Sequence, residues 1–311
     1  MKAAQISEYG DASVVHVVDT DKPTVKQGQV LVEVHASSLN PYDTTIRAGY
    51  MKDMIPLELP VTLGGDIAGV VVQIGPGVAG FASGDKVFGQ ANVVAGNSGA
   101  FAEFAATAAS QIGAAPENLT FEEAAAMPLV GVSALQALTD HIGLRSGQKI
   151  FIHGGAGGIG TIAIQIAKHV GATVATTAKG DGLEVVRALG ADEVIDYKTQ
   201  DFAAVVKNCD AVFDTVGGDD FAKSFAVLKT GGVAVTMIAE VDEAKAEERG
   251  ITAIRQMTNV TTDALGHLRE LIEHEVIKPQ VGKVFPLSDI QAAFAARESG
   301  QVHGKVVLAI Q

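Results

Sequence analysis

The chain has 311 residues, 47% of them hydrophobic and 19% charged, with a formal net charge of −13. This length suits two domains and a sizeable core, and the composition is ordinary for a soluble globular protein. The acidic balance excludes a nucleic-acid partner and an anionic membrane surface, and the single cysteine, Cys209, excludes an internal disulfide and a multi-thiolate zinc site.

The start, Met1-Lys-Ala-Ala-Gln-Ile-Ser-Glu, lacks the long apolar region of a signal peptide, so a cytoplasmic protein is expected. Residues 1 to about 120 read as β-rich. Residues 2–6 and 13–18 form a hairpin around Tyr9-Gly10-Asp11, with further strands at 30–35, 69–74 and 101–106. Glycine turns and little helical period point to a barrel-like β domain. The character changes at Thr120. Thr120-Phe-Glu-Glu123 is a capping box that opens a helix running up to Pro128, and a second helix spans 131–142.

Strand and helix then alternate. Ile150-Phe-Ile152 is a buried strand, Gly155-x-Gly157-x-x-Gly160 follows at once, and Ile162, Ala163, Ile166 and Ala167 recur at helical spacing. Strand, glycine turn and helix are the setting in which this spacing holds a dinucleotide pyrophosphate. Glycines let the backbone approach the phosphates and let the helix pack on the strand, and the helix N-terminus offers free N–H groups. Residues 150–167 carry no charged side chain, but five glycines with His153 and Gln165 suit a membrane span poorly. Strands at 172–177, 193–196, 211–214, 233–238 and 251–255, with helices at 182–189 and 221–228, complete a doubly wound parallel sheet. A solvated run at 243–249, amphipathic helices at 263–275 and 288–298 (with Ser288 as N-cap) and a last strand at 305–310 close the chain.

Cofactor choice follows from charge. Sites that prefer NAD place an acid about 20 residues beyond the glycines, against the ribose 2′-hydroxyl. Here Thr177-Ala178-Lys179 offers a hydroxyl and a cation, which suit the 2′-phosphate of NADPH. The eight histidines are scattered without HxxxH or HxH spacing, so no metal site is expected.

Many short stretches in order carry a resemblance over nearly the whole length. Among them are Ser38-Leu-Asn40-Pro41-x-Asp43, Gly64-Gly-Asp66-x-Ala-Gly69, Gly84-Asp85-x-Val87 and Gly99-Ala-Phe-Ala-Glu103. Others are Ala125-Ala-Met-Pro128-x-x-Gly131, His153 to Gly160, Leu189-Gly-Ala-Asp192, Phe213-Asp214-x-Val-Gly217-Gly and Gly304-Lys305-Val-Val. The chain resembles the medium-chain dehydrogenase/reductase superfamily, and within it the zinc-independent quinone oxidoreductases related to zeta-crystallin. The resemblance implies a GroES-like β-barrel domain, residues 1–121 with 276–311, and a doubly wound parallel-sheet Rossmann domain, 122–275. It implies an active site in the cleft between them. Where the zinc alcohol dehydrogenases carry catalytic ligands, this sequence has Asn40 and Gly65-Asp66. Asp66 is therefore read as a hydrogen-bond partner rather than a metal ligand.

By the same resemblance the phosphate turn is Gly155, Gly157, Gly158, Ile159 and Gly160, and Tyr197 joins Thr177 and Lys179 around the 2′-phosphate. Ser133, Thr215, Val216 and Gly217 line the nicotinamide side, Asn40 lies near the nicotinamide ribose, and Lys305 is counted with the cofactor contacts. Tyr42 and Tyr50 either stack on a flat substrate or donate a proton, or are half-buried structural tyrosines. Asp43 organises its loop by hydrogen bonds. The implied activity is hydride transfer from NADPH to a quinone or an α,β-unsaturated carbonyl; the alternative is an NADPH-binding sensor or structural protein with little turnover. A short-chain dehydrogenase is excluded, because Ser13, Ile46, Met54 and Asp201 stand four residues after the tyrosines instead of lysine. The resemblance also implies a homodimer paired through strand 251–255.

Overall fold

The structure, a computed structural model, describes residues 1–311. It divides into two compact units. The first comprises Met1–Leu129, Val260–His274 and Pro279–Gln311. Its larger sheet has 7 strands: Val281–Pro286, Lys305–Ala309, Gln29–Leu39, Asp66–Ile74, Lys86–Gln90 and Ile112–Ala114 in spatial order, with Phe104–Ala108 also paired to Gln29–Leu39. Gln29–Leu39 is longer than the expected 30–35 strand. Register shifts at Leu31/Val32 and Val34/Ala36 bend it, as bulges do, so one strand serves three neighbours. Its inward residues Val30, Val32 and Val34 are fully buried with Ile67, Val71 and Val87, which is the period-2 pattern of a strand facing a core.

A smaller sheet orders His16–Asp19, Lys2–Ile6 and Val61–Thr62. The expected hairpin is present, but residues 12–14 form a 3₁₀ turn capped by Asp11, so its second strand begins at His16. Lys305–Ala309 returns to pair antiparallel with Ala36–Leu39. The helix Thr262–Glu273 groups with this first unit, not with the second as the sequence boundary at 275 implied. Leu265 lies against Gly113, Thr262 Oγ1 donates to Ile112 O at 2.8 Å, and Asn118 Nδ2 donates to Ile272 O at 3.0 Å.

The second unit comprises Val130–Asn259 and Glu275–Lys278. Six parallel strands run in the order Glu193–Asp196, Thr173–Ala178, Lys149–His153, Cys209–Asp214, Leu228–Thr236 and Thr252–Arg255. The order reverses beside Lys149–His153, and ligands of such sheets bind at the carboxyl ends of the strands at that reversal. Ile150, Phe151 and Ile152 are fully buried, as a central strand covered on both faces requires. The helix Gly158–Val170 buries Ile162, Ala163, Ile166 and Ala167 and ends at Gly171, whose φ of 87° only glycine adopts readily. The capping box at Thr120–Glu123 is formed in full. Pro128 opens the next helix rather than ending one; that helix, Pro128–Gln136, passes into a π turn at Ala137–His141. Asp289, not Ser288, precedes the helix Ile290–Glu298.

Candidate active site

The glycine turn sits at the carboxyl edge of the second unit's sheet. Gly154 makes the tight bend, with φ at 86°, and its N–H donates to Thr177 Oγ1 at 3.0 Å. A Cβ at Gly155 would meet Thr176 Oγ1 at 2.1 Å, and one at Gly160 would meet Gly154 O at 2.3 Å. These two glycines are thus dictated by the chain's own packing of helix against strand. Gly157 is different: it is exposed, and a Cβ there would meet only Gly154 O, at 3.3 Å. It caps the helix Gly158–Val170 without a side-chain bond, so the N–H groups of Gly158, Ile159 and Gly160 have no intrahelical acceptor. An anion fits that end of the helix, and a bare backbone at 157 leaves it room to approach.

Ala178 and Asp196 are register partners, so Lys179 and Tyr197 leave neighbouring strands side by side at the same edge. Lys179 is half-buried and its ammonium makes no ion pair or hydrogen bond, and Tyr197 is 45% exposed. No acid ends the Thr173–Ala178 strand. Thr177 departs from its expected role as an outward donor. It is buried, and its hydroxyl is bound to the Gly154 N–H, so it shapes the turn.

The next strand ends on a pair that sequence reading missed. His153 Nδ1 lies 3.2 Å from Asp214 Oδ1, and both residues are buried. Asp214 also accepts from Thr236 Oγ1 at 2.7 Å, from the Gly217 N–H at 3.1 Å and from the Val216 N–H at 3.2 Å. Burial pushes its pKa up, but the bonds from His153, Thr236 and the two backbone N–H groups outweigh burial and hold the carboxyl below its usual range. Asp214 therefore folds Thr215, Val216 and Gly217 into a fixed turn, leaving Val216 half-exposed. Ser133 is fully buried. Its hydroxyl is 2.7 Å from Thr258 Oγ1, and its carbonyl accepts from Gln256 Nε2 at 3.0 Å, so it braces the site from within instead of lining it.

In the first unit a buried polar cluster surrounds Asn40. Asn40 caps the helix Pro41–Arg47, and its backbone N–H donates to Asp43 Oδ2 at 2.7 Å. Its side-chain amide is held at both ends: Nδ2 donates to Asp66 Oδ2 at 2.8 Å, and Lys305 Nζ donates to Oδ1 at 2.5 Å. Asp66 also accepts from Ser38 Oγ, Gln90 Nε2 and the Leu129 N–H. The reading of Asp66 as a hydrogen-bond partner matches these contacts. Lys305 is buried and also donates to Leu39 O at 3.0 Å, with Asp66 Oδ2 at 3.6 Å. Burial lowers its basicity against the pull of Asp66 and Asp43. Its place among the cofactor contacts is corrected accordingly: the ammonium is spent inside the protein, on Asn40. No group of three His, Cys, Asp or Glu side chains converges where a metal ion could be held.

Burial drives the Asp43 carboxyl up to about 7, the Asn40 N–H partly opposes this, Asp66 adds to it, and Lys305 and Arg297 oppose it. A carboxyl raised on folding binds its proton more tightly in the native state, so its stabilising effect is complete below about pH 4 and lost as pH rises through 7. Three units at about 1.4 kcal/mol each put the effect at up to about 4 kcal/mol. Asp43→Asn, compared with the parent by urea unfolding from pH 4 to pH 8, should gain stability relative to it across this window. A pH-independent difference would show that Asp43 titrates normally.

Tyr42 is half-buried, and burial followed by the neighbouring Asp43 charge raises its phenol above the ordinary value, so it keeps its proton. Tyr50 stands 80% exposed. Elsewhere, a recess of ≈ 300 Å³ beside Arg145, Gln148, Asp210 and Lys229 opens at the amino edge of the second unit's sheet, the end opposite the glycine turn.

Comparison with known proteins agrees with this arrangement. Residues 26–117 match the alcohol dehydrogenase GroES-like domain, and residues 189–308 match the family described as zinc-binding dehydrogenase. The chain is 35% identical over 317 positions to a 2-methylene-furan-3-one reductase of Solanum lycopersicum, covering 99% of this chain and 79% of that protein. Identity and coverage are the same for an NADPH-dependent alkenal/one oxidoreductase of Arabidopsis thaliana chloroplasts. The structure of the quinone oxidoreductase from Coxiella burnetii superposes with a TM-score of 0.93 at 34% identity, over 100% of this chain and 99% of that one. With these relatives and this fold, the chain belongs to the zinc-independent quinone oxidoreductase branch of the medium-chain dehydrogenase/reductase superfamily.

Proposed function

We propose that the protein reduces quinones and α,β-unsaturated carbonyls at the expense of NADPH. The observation that carries the cofactor half is the unpaired Lys179 beside Tyr197, on an edge where no acid ends the second strand. The acceptor half rests on the relatives, which are named for alkenal/one, furanone and quinone reduction. When bound, NADPH supplies a hydride, and for an enone one solvent-derived proton completes the saturated ketone. The chain's own residues position and protonate. The N–H groups at Gly158 to Gly160 bind the pyrophosphate, Lys179 Nζ and Tyr197 Oη meet the 2′-phosphate, and Asp214 fixes the turn that carries Val216. Tyr42 Oη is the phenol that can relay that proton, with Asn40 locked beside it at the head of the same helix. A homodimer paired through Thr252–Arg255 is part of this reading, supported by that strand's place at the sheet edge. Sedimentation showing a concentration-independent monomer would remove it. A cytoplasmic location is also proposed, since the one thiol, Cys209, is free and buried and needs no oxidising compartment; cell fractionation tests it.

The direct test is steady-state NADPH oxidation with 9,10-phenanthrenequinone and with 2-alkenals. Tight NADPH binding without oxidation by any of these acceptors would leave a binding protein. The glycines offer a second check. Gly157→Ala should lose less stability than Gly160→Ala, since its methyl meets only Gly154 O, at 3.3 Å, yet bind NADPH at least tenfold more weakly, because that methyl also intrudes on the phosphates. Gly160→Ala should lose stability as well, because its methyl strikes Gly154 O. Equal NADPH affinity for Gly157→Ala and the parent, by fluorescence titration, would place the pyrophosphate elsewhere.

A further inference from the structure

Gly65 is buried immediately before the strand Asp66–Ile74, yet nothing in the fold demands a glycine there. Its φ is not positive, and a Cβ on it would meet nothing closer than Asn92 Nδ2 and Gln90 Nε2, both at 3.8 Å. At Gly64, by contrast, φ is 97° and a Cβ would meet the Phe101 ring at 2.4 Å. The missing side chain at 65 therefore leaves a small open space rather than relieving a contact. Strand pairing brings the two amides to it: Asp66 and Gln90 are register partners, and the Ala91 N–H donates to Gly65 O at 2.7 Å. Each amide's orientation is fixed by its other contact. Asn92 Oδ1 accepts from the Val94 N–H at 2.9 Å, so Nδ2 is the atom left beside Gly65, and it donates to nothing in the chain. Gln90 Nε2 donates to Asp66 Oδ1 at 3.1 Å, which leaves it one further hydrogen. An oxygen in the space, drawn ~0.9 Å toward either nitrogen, meets it at a hydrogen-bond distance of about 2.9 Å.

We propose that Asn92 and Gln90 form a donor pair for the carbonyl oxygen of the acceptor, with Asn92 Nδ2 as a catalytic donor and Gly65 as the space that admits the oxygen. The inference rests on the reductase reading above and deepens it. Both groups facing the space donate, so its occupant brings lone pairs and is neither a cation nor an N–H. The space also adjoins the cluster already placed at the reaction. Asp66 binds Gln90 through one oxygen and Asn40 through the other, and Asn40 heads the helix that carries Tyr42. Hydride arrival at the β-carbon of an enone forms a C–H bond and moves the alkene pair into the bond between the α-carbon and the carbonyl carbon. The carbonyl pair moves onto oxygen. The α-carbon then takes the solvent-derived proton and the carbonyl reforms, giving the saturated ketone and the oxidised cofactor. Fixed amide donors bind that oxygen most strongly while it carries charge, which is the condition for lowering the barrier.

Asn92→Asp tests the donor alone, because its carboxylate can still accept from the Val94 N–H but cannot donate. With 3-penten-2-one its kcat should fall roughly 100- to 1,000-fold, the usual cost of one oxyanion donor, while the NADPH dissociation constant and the urea midpoint stay at the parent's values. Gly65→Ala should keep the parent's stability and NADPH affinity, since its methyl meets only ordinary van der Waals contacts. It should lose about tenfold or more in kcat/KM, because that methyl occupies the oxygen's place. Binding gives a readout apart from turnover. The oxygen of 4-nitrophenolate carries charge as an enolate's does, so this anion should bind the NADP⁺-loaded parent about tenfold or more tighter than NADP⁺-loaded Asn92→Asp. If Asn92→Asp does not fold, Asn92→Ser, whose shorter hydroxyl can also accept from the Val94 N–H, is read in its place. Parental kcat in these variants, or a fall in kcat matched by equal losses of NADPH affinity and stability, overturns the inference and leaves the reductase reading intact. No NADPH oxidation by the parent with 3-penten-2-one, 2-alkenals or phenanthrenequinone overturns the reading beneath it.

Discussion

Lys179→Ala is expected to raise the NADPH dissociation constant by roughly 10- to 150-fold and to leave NADH nearly untouched. The estimate takes one charged hydrogen bond to the 2′-phosphate at about 1.5–3 kcal/mol, converted at about 1.4 kcal/mol per tenfold. Two observations support the upper part of the range. The side chain is half-buried and has no competing partner, so no intramolecular bond is broken when the phosphate arrives. Thr177, the other group expected there, is buried and accepts from the Gly154 N–H, so Lys179 is the accessible cation and Tyr197 the accessible hydroxyl at that edge. Because the contact is ionic, the preference should shrink as salt is raised. Equal affinities of the parent for NADPH and NADH at low salt would show Lys179 to be an ordinary loop lysine.

Lys305→Met should cost stability more than any surface change in the protein, about 3–5 kcal/mol by urea unfolding. Methionine matches the length of the stem but donates nothing. The substitution strands the Leu39 carbonyl and Asn40 Oδ1 and leaves Asp66 and Asp43 facing each other across a buried space without their cation. Asp66→Asn in the same background should restore part of the loss, since it removes the charge that Lys305 opposed, and the non-additivity measures the coupling. A Lys305→Met protein as stable as the parent would mean that the carboxylates take up protons at little cost. Catalysis supplies an independent reading. With one end of its amide released, Asn40 is free to rotate, so kcat should fall more than KM changes.

How much of this was legible in the sequence depended on range. The glycine turn, the helix that follows it and the capping box at Thr120 were readable because each signal lies within a few residues. The six-strand alternation gave the parallel sheet for the same reason. Short or polar strands escaped: Lys86–Gln90 contains Gly89 folded against Gln111 and Ile112, and Val281–Pro286 mixes Gly, Lys and Pro along an edge. The helix Pro41–Arg47 was read as a loop, although Asn40 and Asp43 stand at capping-box spacing. The cluster around Asn40 could not be seen at all, because Ser38, Asp66 and Lys305 meet only once distant strands pair. His153 and Asp214, which build the turn at Val216, are likewise brought together by adjacent strands 61 residues apart in sequence.

The first unit is stitched from segments far apart in the sequence, and that has a consequence for how the protein is made. Met1–Leu129 leaves the ribosome early, while the strand that completes its sheet and delivers Lys305 is only Lys305–Ala309. At ~5–20 residues per second, the interval between them is on the order of 10–40 s. Through that interval the Ala36–Leu39 edge lacks its neighbour, and Asp66 and Asn40 lack their ammonium. The second unit, nearly continuous from Val130 to Asn259, can mature meanwhile. Nascent chains halted between those points should therefore be the form most in need of chaperone cover, and the strand Lys305–Ala309 acts as the latch that ends this vulnerability.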